Sequence, residues 1–191
     1  LLAELVNADS GTYNKAGVDA AGEVLQAFWR AHGLAVSVIP RARFGDVIAA
    51  DLACPEATDP RPVVLLGHRD TVFPEGEPTR RPFTVKDGRG YGPGVADMKS
   101  GLVIEAFVMA AFAACGAPGM PLRMVTTSDE EIASPACAEV ITDEARQARA
   151  VFNAEPSRTR TAPPGDNLRT QVITRGRKGG VFLKAEMTGK A

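Results

Sequence analysis

The chain has 191 residues, of which 45% are apolar, and its formal net charge at neutral pH is −1. This length suits one domain of roughly 150 residues with a short extension, and the apolar content is sufficient for a buried core. The near-neutral charge excludes the basic surplus that a general nucleic-acid-binding surface needs, so we predict no nucleic-acid partner.

The first part of the chain predicts one helix followed by three strands. Apolar residues repeat on a single helical face over residues 18–31, and Gly33 then supplies a stop signal. Alternating residues predict a strand at 35–39, and a second strand is expected at 47–52. The unbroken apolar run at 63–66 is typical of a central strand that is buried on both faces.

Proline-rich loops flank the third strand, and helices alternate with strands beyond them. The later elements are predicted in the order helix, strand, helix, strand, at residues 99–115, 122–126, 134–148 and 150–153. Ser134 and Pro135 suit the N-cap and the first position of the second of these helices. This alternation indicates an α/β fold with a mostly parallel central sheet and helices on both faces. Residues 158–167 are predicted to form a loop, and residues 181–187 a new strand.

The cysteines and the apolar runs predict neither a thiolate zinc site nor a membrane span. Cys54, Cys115 and Cys137 are widely spaced and form no CxxC pair, so we expect buried or half-buried free thiols in a reducing compartment. The apolar run 101–115 contains Glu105 and is shorter than the roughly 20 residues of a membrane helix. We therefore expect no membrane partner and a cytoplasmic location, or a periplasmic one if a signal peptide precedes Leu1.

Potential metal ligands follow the predicted parallel strands. His68 and Asp70 come after the strand at 63–66, Glu130 and Glu131 after the strand at 122–126, and Glu155 after the strand at 150–153. Parallel strands share a carboxyl edge, where ligand sites gather. Each residue alone has an ordinary explanation as a surface residue or turn former, but their joint placement predicts one site.

The residue types at this edge indicate a nitrogen-and-oxygen metal site. One imidazole with several carboxylates suits zinc, with manganese or cobalt as substitutes. Asp97, which stands in a glycine-rich segment before a predicted helix, can bridge two metal ions, and Asp70 can orient the imidazole of His68. Of the adjacent glutamates, one can bind metal while the other accepts a proton from water. The glycine-rich segment matches neither a phosphate loop nor a dinucleotide loop, which disfavours a nucleotide-binding function.

Four motifs in the same order resemble the zinc aminoacylase, desuccinylase and glutamate-carboxypeptidase family. They are GHRDTVFP at 67–74, GPGVADMKSG at 92–101, SDEE at 128–131 and FNAEP at 152–156. The resemblance covers essentially the whole chain and implies a three-layer, phosphorylase/hydrolase-like catalytic domain. Glu155 and the segment at 172–180 look most like the glutamate-carboxypeptidase branch.

The resemblance also implies a role for each residue of the site. His68 and Glu155 would hold one zinc ion, Asp97 would bridge to a second, and Glu131 would hold that second ion. Glu130 would be the general base. The expected reaction is hydrolysis of an amide beside a free carboxylate, by a zinc-activated water, in a small peptide or an N-acyl amino acid.

The same resemblance predicts that residues 1–178 are an incomplete catalytic domain and that residues 179–191 begin an inserted lid domain. Family members carry a lid through which they form homodimers, and a last histidine ligand for the second zinc. Of the two histidines here, His32 is interpreted as a helix-end residue. We therefore expect the isolated chain to bind at most one metal ion well and to hydrolyse little. The alternatives are a deacylase or desuccinylase of the same family and a metal-binding domain without catalysis.

Overall fold

The computed structural model describes residues 1–116, 119–156, 159–160 and 170–171. Within these residues the helices are α1 (Leu2–Asn7), α2 (Lys15–Ala31), α3 (Glu77–Arg80), α4 (Ser100–Cys115) and α5 (Ala138–Gln147). The strands are β1 (Ala35–Ile39), β2 (Val47–Leu52), β3 (Val63–His68), β4 (Thr84–Lys86), β5 (Arg89–Tyr91), β6 (Leu122–Thr127), β7 (Ala150–Phe152), β8 (Thr159–Arg160) and β9 (Thr170–Gln171). Two short irregular turns, Val95–Lys99 and Glu130–Ile132, adjoin α4 and β6.

Five strands form one sheet in the order β1-β2-β6-β3-β7. β3 pairs in parallel with both β6 and β7, whereas β2 runs antiparallel to β1 and β6. Four of the five strands therefore point the same way, which confirms the mostly parallel sheet predicted from the sequence. The apolar run of β3 lies inside the sheet, and Val64 is fully buried.

Helices cover both faces of this sheet. On one face α1, α2 and α4 enclose the larger core, in which Trp29 and Met109 are fully buried. On the other face α5 packs through Val140 and Ile141 against a smaller cluster that includes Val125. Burial of apolar surface on both sides of the sheet produces the three-layer α/β fold that the sequence predicts.

α2 begins three residues before the predicted start because a side chain caps it. The Oδ1 atom of Asn14 accepts the backbone N–H of Gly17 at 3.1 Å, which satisfies one of the free donors of the first turn. The helix ends at Ala31, and Gly33 follows with a φ of 76°. Its end therefore confirms the glycine stop predicted from the sequence.

The prediction that a helix opens at Ser134 and Pro135 is wrong, because α5 begins at Ala138. The buried residue Asp129 accounts for the delay. Its Oδ2 accepts the N–H of Ala136 at 2.6 Å, and its carbonyl oxygen accepts the N–H of Ser134 at 2.8 Å. These bonds hold the chain in a turn around Asp129, and Ser134 adopts a φ of 54°, outside the right-handed helical region.

Some short elements were not predicted at all. The loop after β3 contains α3 and the antiparallel pair β4 and β5, and α1 precedes the first predicted helix. α3 has four residues and β4 and β5 have three each, which is too short for a hydrophobic period to repeat. β4 and β5 are exposed along their length and pair with each other.

The chain divides into two units, Leu1–Pro156 and Ser157–Ala191. In the second unit the described residues form β8 and β9, which pair in an antiparallel manner. The predicted loop at 158–167 is wrong at Thr159–Arg160, which form β8. The rest of that loop, the predicted strand at 181–187 and the predicted domain boundary after residue 178 lie outside the described residues. They stay predictions.

By length and composition, one described segment, Val95–Cys115, could cross a membrane. It is longer than the run considered in the sequence because the turn before α4 adds to it. Its most apolar window is 44% buried inside the fold, and α4 packs against α2, β3 and β6. A core helix has the same composition, so this segment is weak evidence for a membrane span.

Arg69, between the candidate residues His68 and Asp70, is fully buried. Its guanidinium donates to the Thr126 hydroxyl at 2.7 Å and carbonyl at 2.8 Å, and also to the carbonyl oxygens of Asp46 and Val18. Burial lowers the pKa of Arg69 to about 10, so the side chain is still charged at neutral pH. Arg69 thereby links the end of β3 to α2, to β6 and to the residue that precedes β2.

Replacing Arg69 with methionine is expected to lower the free energy of unfolding by about 2–5 kcal/mol, because several buried acceptors lose their donor. Urea unfolding of the metal-free protein measures this loss. The matched control is Arg146→Met, since the Arg146 side chain is 76% exposed. A loss for Arg69→Met no larger than for this control would contradict a bracing role.

Candidate metal centre

Three parallel strands bring acidic residues to one edge of the sheet. His68 is the last residue of β3 and lies opposite Thr127, the last residue of β6. The turn Glu130–Ile132 follows β6, and Glu155 follows β7, which pairs with β3 from the other side. The convergence expected for the carboxyl edge of parallel strands is therefore present in the fold.

His68 lies at the centre of the group, and its side chain is only 1% exposed. Its Nε2 atom is 3.2 Å from Asp97 Oδ1, 3.2 Å from Glu155 Oε1 and 3.8 Å from Glu130 Oε2. On the opposite side of the ring, Nδ1 is 3.0 Å from the carbonyl oxygen of Asp70 and 3.3 Å from its Oδ1. Asp70 thus holds one ring nitrogen while the other faces the acids.

Asp70 is fully buried and also holds the turn of the two glutamates. Its Oδ1 accepts the N–H of Glu130 at 3.2 Å, and its Oδ2 accepts the N–H of Glu131 at 3.3 Å and the hydroxyl of Thr12 at 2.8 Å. Burial alone would raise the pKa of Asp70, but His68 and these donors hold it below its ordinary value. An ionised Asp70 therefore positions both His68 and the Glu130–Glu131 backbone.

Asp97 lies in the irregular turn Val95–Lys99, in which the peptide bond between Asp97 and Met98 is cis. Gly94 precedes this turn with a left-handed φ of 70°, and a Cβ atom there would lie 2.6 Å from Cγ2 of Thr71. Glycine is thus required both by the backbone conformation and by the close approach to the segment after β3. The Asp97 side chain is 58% exposed at the edge of the site.

Lys99 anchors the other end of this turn. Its side chain is buried, and its Nζ atom donates to the carbonyl oxygen of Ala8 at 3.1 Å, just beyond α1. Burial lowers the pKa of Lys99 to about 8, although the charge of Asp9 opposes this shift. The lysine of the DMKSG motif therefore ties the Asp97 turn to the N-terminal helix.

Three hydrogen bonds hold the segment that carries Glu155. The side-chain amide of Asn153 donates to the carbonyl oxygen of Leu66 in β3 at 2.9 Å, and Asn153 Oδ1 accepts the N–H of Glu155 at 2.7 Å. The N–H of Ala154 donates to Oε1 of Glu105 in α4 at 3.0 Å. The segment is therefore tied to both the sheet and the helix that covers it.

Glu105 is buried under this segment, and burial raises its pKa to about 8 despite the hydrogen bond from Ala154. A carboxyl group whose folded-state pKa is raised from 4.5 binds its proton more tightly in the folded chain. The stability that this tighter proton binding contributes is fully present below pH 4.5 and is lost as pH rises through about 8.

We therefore expect Glu105→Gln to change stability in a pH-dependent manner in the metal-free protein. The variant should match the unsubstituted protein near pH 4 and be more stable by up to a few kcal/mol above about pH 8, since one pKa unit is worth about 1.4 kcal/mol. Chemical unfolding across this pH range measures the difference. A constant difference at all pH values would show that Glu105 does not carry the effect.

Excess negative charge dominates the electrostatics of the site. Burial and the neighbouring acids raise the pKa of Glu131 to about 7, against the opposing effect of His68, and the pKa values of Asp97 and Glu130 are also raised, first by burial. Burial opposes protonation of His68, but hydrogen bonds to Asp70 and Glu155 raise its pKa to about 11. A divalent cation would relieve this repulsion in place of the imidazole proton.

The donor set fits such a cation. Two groups have ligand atoms within 4.8 Å of one another, namely His68, Asp97 and Glu131, and His68, Glu130 and Glu155. One imidazole nitrogen with carboxylate oxygens suits zinc, and manganese or cobalt can use the same donors. The geometry thus assembles all four predicted ligands, although it also brings the predicted base, Glu130, within ligand distance.

The other histidine and the cysteines lie elsewhere among the described residues. His32 is the C-cap residue of α2, and its Nδ1 is 2.8 Å from the carbonyl oxygen of Phe28, as expected for a helix-end residue. Cys54, Cys115 and Cys137 are free thiols. Cys137 is buried and Cys54 half-buried, but Cys115 is exposed at the end of α4, so the expectation of burial is wrong there.

The sequence matches the model of Peptidase family M20/M25/M40 over residues 64–171. This range contains His68 and every acidic residue of the site. The chain belongs to peptidase family M20/M25/M40. It is 28% identical to carboxypeptidase G2 of Pseudomonas sp. (strain RS-16) over 193 residues, which cover 100% of this chain and 44% of the relative.

Other M20 relatives are deacylases. The chain is 33% identical to succinyl-diaminopimelate desuccinylase 2 of Shewanella loihica over 141 residues, covering 69% of this chain and 35% of that protein. It is 45% identical to acetylornithine deacetylase of Pasteurella multocida over 74 residues, covering 36% and 19%. The chain thus spans less than half the length of these curated relatives.

Solved structures share the fold of the M20 catalytic domain. Human carnosine dipeptidase 1 superimposes with a TM-score of 0.66 at 20% identity, covering 80% of this chain and 37% of that one. An M20 family metallo-carboxypeptidase from Sulfolobus solfataricus also has a TM-score of 0.66, at 18% identity, covering 80% and 36%.

Several residues that support the site were not predicted from the sequence. They are Thr12, Arg69, Glu105 and Asn153, each of which contacts a ligand-bearing segment through a hydrogen bond described above. In each of these bonds the partner is 49 or more positions away. Asn153, inside the FNAEP motif, is the one for which the sequence offers a signal, since an asparagine side chain often bonds to the backbone two residues on, as it does here to the N–H of Glu155.

Proposed function

We propose that this chain is the metal-binding catalytic part of a zinc-dependent amide hydrolase that releases a C-terminal or N-acylated amino acid. One observation carries the proposal: a buried imidazole and five carboxylates converge at the carboxyl edge of three parallel strands. Membership of the M20 family, with carboxypeptidase and deacylase relatives, supports this reaction class.

In this proposal His68 and Glu155 would hold one zinc ion, Glu131 would hold a second, and Asp97 would be a ligand shared by both. When bound, zinc would activate water and polarise the amide carbonyl group. Since His68 is the one histidine at the site, the second position receives only carboxylates from the described residues. We therefore expect one tightly bound zinc per isolated chain, and little hydrolysis without further ligands.

Glu130 is proposed as the general base, which accepts a proton from water and returns it to the leaving amine. Its carboxylate is half exposed and its pKa is raised, chiefly by burial, which moves it toward the range in which a base works near neutral pH. Asp70 has a positioning role, because it holds the Nδ1 side of His68 and the backbone N–H of Glu130.

A cleft of about 420 Å³ opens beside Glu131, which is the one proposed metal ligand in its lining. Its lining includes the apolar side chains of Val72, Phe73 and Ile132, and the ring of Tyr13. We propose that part of the substrate beside the scissile amide packs here. A pocket of this size and lining is ordinary for a small-molecule site.

Carboxypeptidase-like activity is the first candidate because the match to carboxypeptidase G2 spans the whole chain. A deacylase or desuccinylase is the second candidate, supported by the 33% identity to the Shewanella loihica protein. A lid domain that forms a homodimer and grips the substrate carboxylate is part of both proposals. A metal-binding domain without catalysis is disfavoured because it would not need a general base such as Glu130.

The test combines metal analysis with a substrate panel. Zinc content of the purified chain is measured first, and hydrolysis of N-acyl amino acids, succinylated amines and dipeptides is then measured in a protein of the relatives' length that contains this chain. Zinc with amide hydrolysis supports the proposal, and the preferred substrate distinguishes its two branches. Zinc binding without hydrolysis of any panel member would favour the non-catalytic alternative, and absence of zinc would reject the proposed site.

A further inference from the structure

Glu105 is a buried acid that has no part in the proposed chemistry. It lies in α4 among core residues and is 3% exposed. Its Oε1 accepts the N–H of Ala154 at 3.0 Å, while its Oε2 has no hydrogen-bond partner in the described part of the chain. A carboxyl group buried with one oxygen unpaired costs folding free energy, and an apolar side chain at this position would remove that cost while leaving the N–H of Ala154 without its acceptor.

Ala154 also contacts α4 one helical turn earlier. A Cβ atom on Gly101 would lie 2.3 Å from the carbonyl oxygen of Ala154, so the helix and this carbonyl group approach more closely than any side chain permits. Residues 101 and 105 are four positions apart and therefore lie on the same helical face. The N–H and the carbonyl group of Ala154 therefore both contact the same face of α4.

This contact between Ala154 and α4 lies directly beside a candidate ligand. Glu155 follows Ala154, and its Oε1 is 3.2 Å from Nε2 of His68. α4 also begins at the end of the turn that carries Asp97. One helix therefore adjoins the Asp97 turn at its N-terminus and the Glu155 segment along its side.

We propose that Glu105, together with Gly101, is a positioning residue that sets the location of the Glu155 carboxylate relative to His68. The hydrogen bond to Ala154 fixes the segment, and the absence of a side chain at Gly101 lets it approach. Because Asn153 secures the same segment to β3, Glu105 supplies the attachment on the helix side. This inference rests on the proposed metal centre.

A purely structural role for Glu105 makes a different prediction. If the side chain only filled space, a methionine of similar length would serve as well and would remove the unpaired oxygen. If it positions Glu155, methionine should leave stability nearly unchanged, since removal of the unpaired oxygen offsets the lost hydrogen bond, and should still weaken the metal site because the Ala154 N–H loses its acceptor. The two roles therefore separate when stability and metal affinity are measured on the same variant.

The experiment uses the full 191-residue chain. Zinc affinity is measured by competition with a chromophoric chelator, the melting temperature is measured without metal, and exchange of the Ala154 amide is followed by NMR in the metal-free chain. The main variant is Glu105→Met, and Glu105→Gln is the conservative variant that retains an acceptor oxygen. Met109→Ala, on the same helix in the core, controls for a general loss of stability.

We expect Glu105→Met to bind zinc about 10–100-fold more weakly, the usual effect of losing a group that orients a ligand. Its Ala154 amide should exchange faster, and its melting temperature should not fall. Glu105→Gln should restore near-normal affinity, and Met109→Ala should melt earlier with unchanged affinity. Gly101→Ala, which displaces Ala154 sterically, should also weaken zinc binding and provides a second route if the methionine variant does not fold.

Unchanged zinc affinity or unchanged Ala154 exchange in Glu105→Met would overturn this inference and leave the proposed function intact. Equal weakening by Met109→Ala would also overturn it, since the effect would then follow stability. If the unsubstituted chain binds no zinc, the proposed metal centre fails and this inference fails with it. Zinc binding by the unsubstituted protein therefore distinguishes failure of the metal centre from failure of this inference alone.

Discussion

Glu130→Gln is expected to lower the rate of amide hydrolysis by about 10²–10⁴-fold, the usual contribution of a general base. Zinc content should be retained, because glutamine keeps the size of the side chain and the backbone N–H that donates to Asp70. The comparison uses kcat, with zinc content measured in parallel, in a hydrolytically active protein that contains this chain.

The adjacent glutamate is the matched control for Glu130. Glu131→Gln should lower zinc affinity, since the proposed role of Glu131 is to bind metal through a charged oxygen. The two residues occupy the same turn and both donate their N–H groups to Asp70, so changes in the turn itself would affect both variants alike. Loss of zinc from Glu130→Gln with retention in Glu131→Gln would reverse the proposed roles.

His68→Ala is expected to abolish stabilisation by zinc. Zinc that binds only to the folded chain adds about 2.7 kcal/mol to the free energy of unfolding when its concentration is 100 times the Kd. His68→Ala should gain almost no stability at the same zinc concentration. Without metal it should also be less stable by roughly 1–3 kcal/mol, because buried Asp70 loses a hydrogen-bonded partner.

Thermal unfolding with and without zinc measures both effects. The matched control is His32→Ala, which removes the other histidine from an exposed helix end and should leave the zinc response unchanged. A full zinc response in His68→Ala would place the metal elsewhere. Loss of the response in His32→Ala would mean that zinc binding involves the end of α2.

The larger elements were predictable because they repeat a local pattern. β1 and β2 match the predicted bounds, and β3, β6 and α4 differ from them by one or two residues. These elements have enough residues for a hydrophobic period to be read, and their burial in one core enforces that period. α5 was placed three or four residues too early because the bonds from Asp129 are invisible to a propensity rule.

The sequence by itself determined the α/β class and the parallel arrangement of the central strands, and it predicted the six residues that the fold brings together at the candidate site. Residue type specifies donor chemistry, and the position after a strand specifies the edge of the sheet, so both follow from local order. The contacts of Asp70 were decided only by the tertiary structure. Asp70 holds the N–H groups of Glu130 and Glu131, which are 60 and 61 positions away.

The contact that holds the Glu155 segment was likewise decided only by the tertiary structure. Glu105 and Ala154 are 49 positions apart, and no spacing rule pairs an acid in a core helix with a backbone amide in a loop. Such contacts depend on how α4 packs across β3 beside β7, which brings distant segments within hydrogen-bond distance. Local sequence therefore selected the candidate ligands, and long-range packing decided which contacts hold each of them in place.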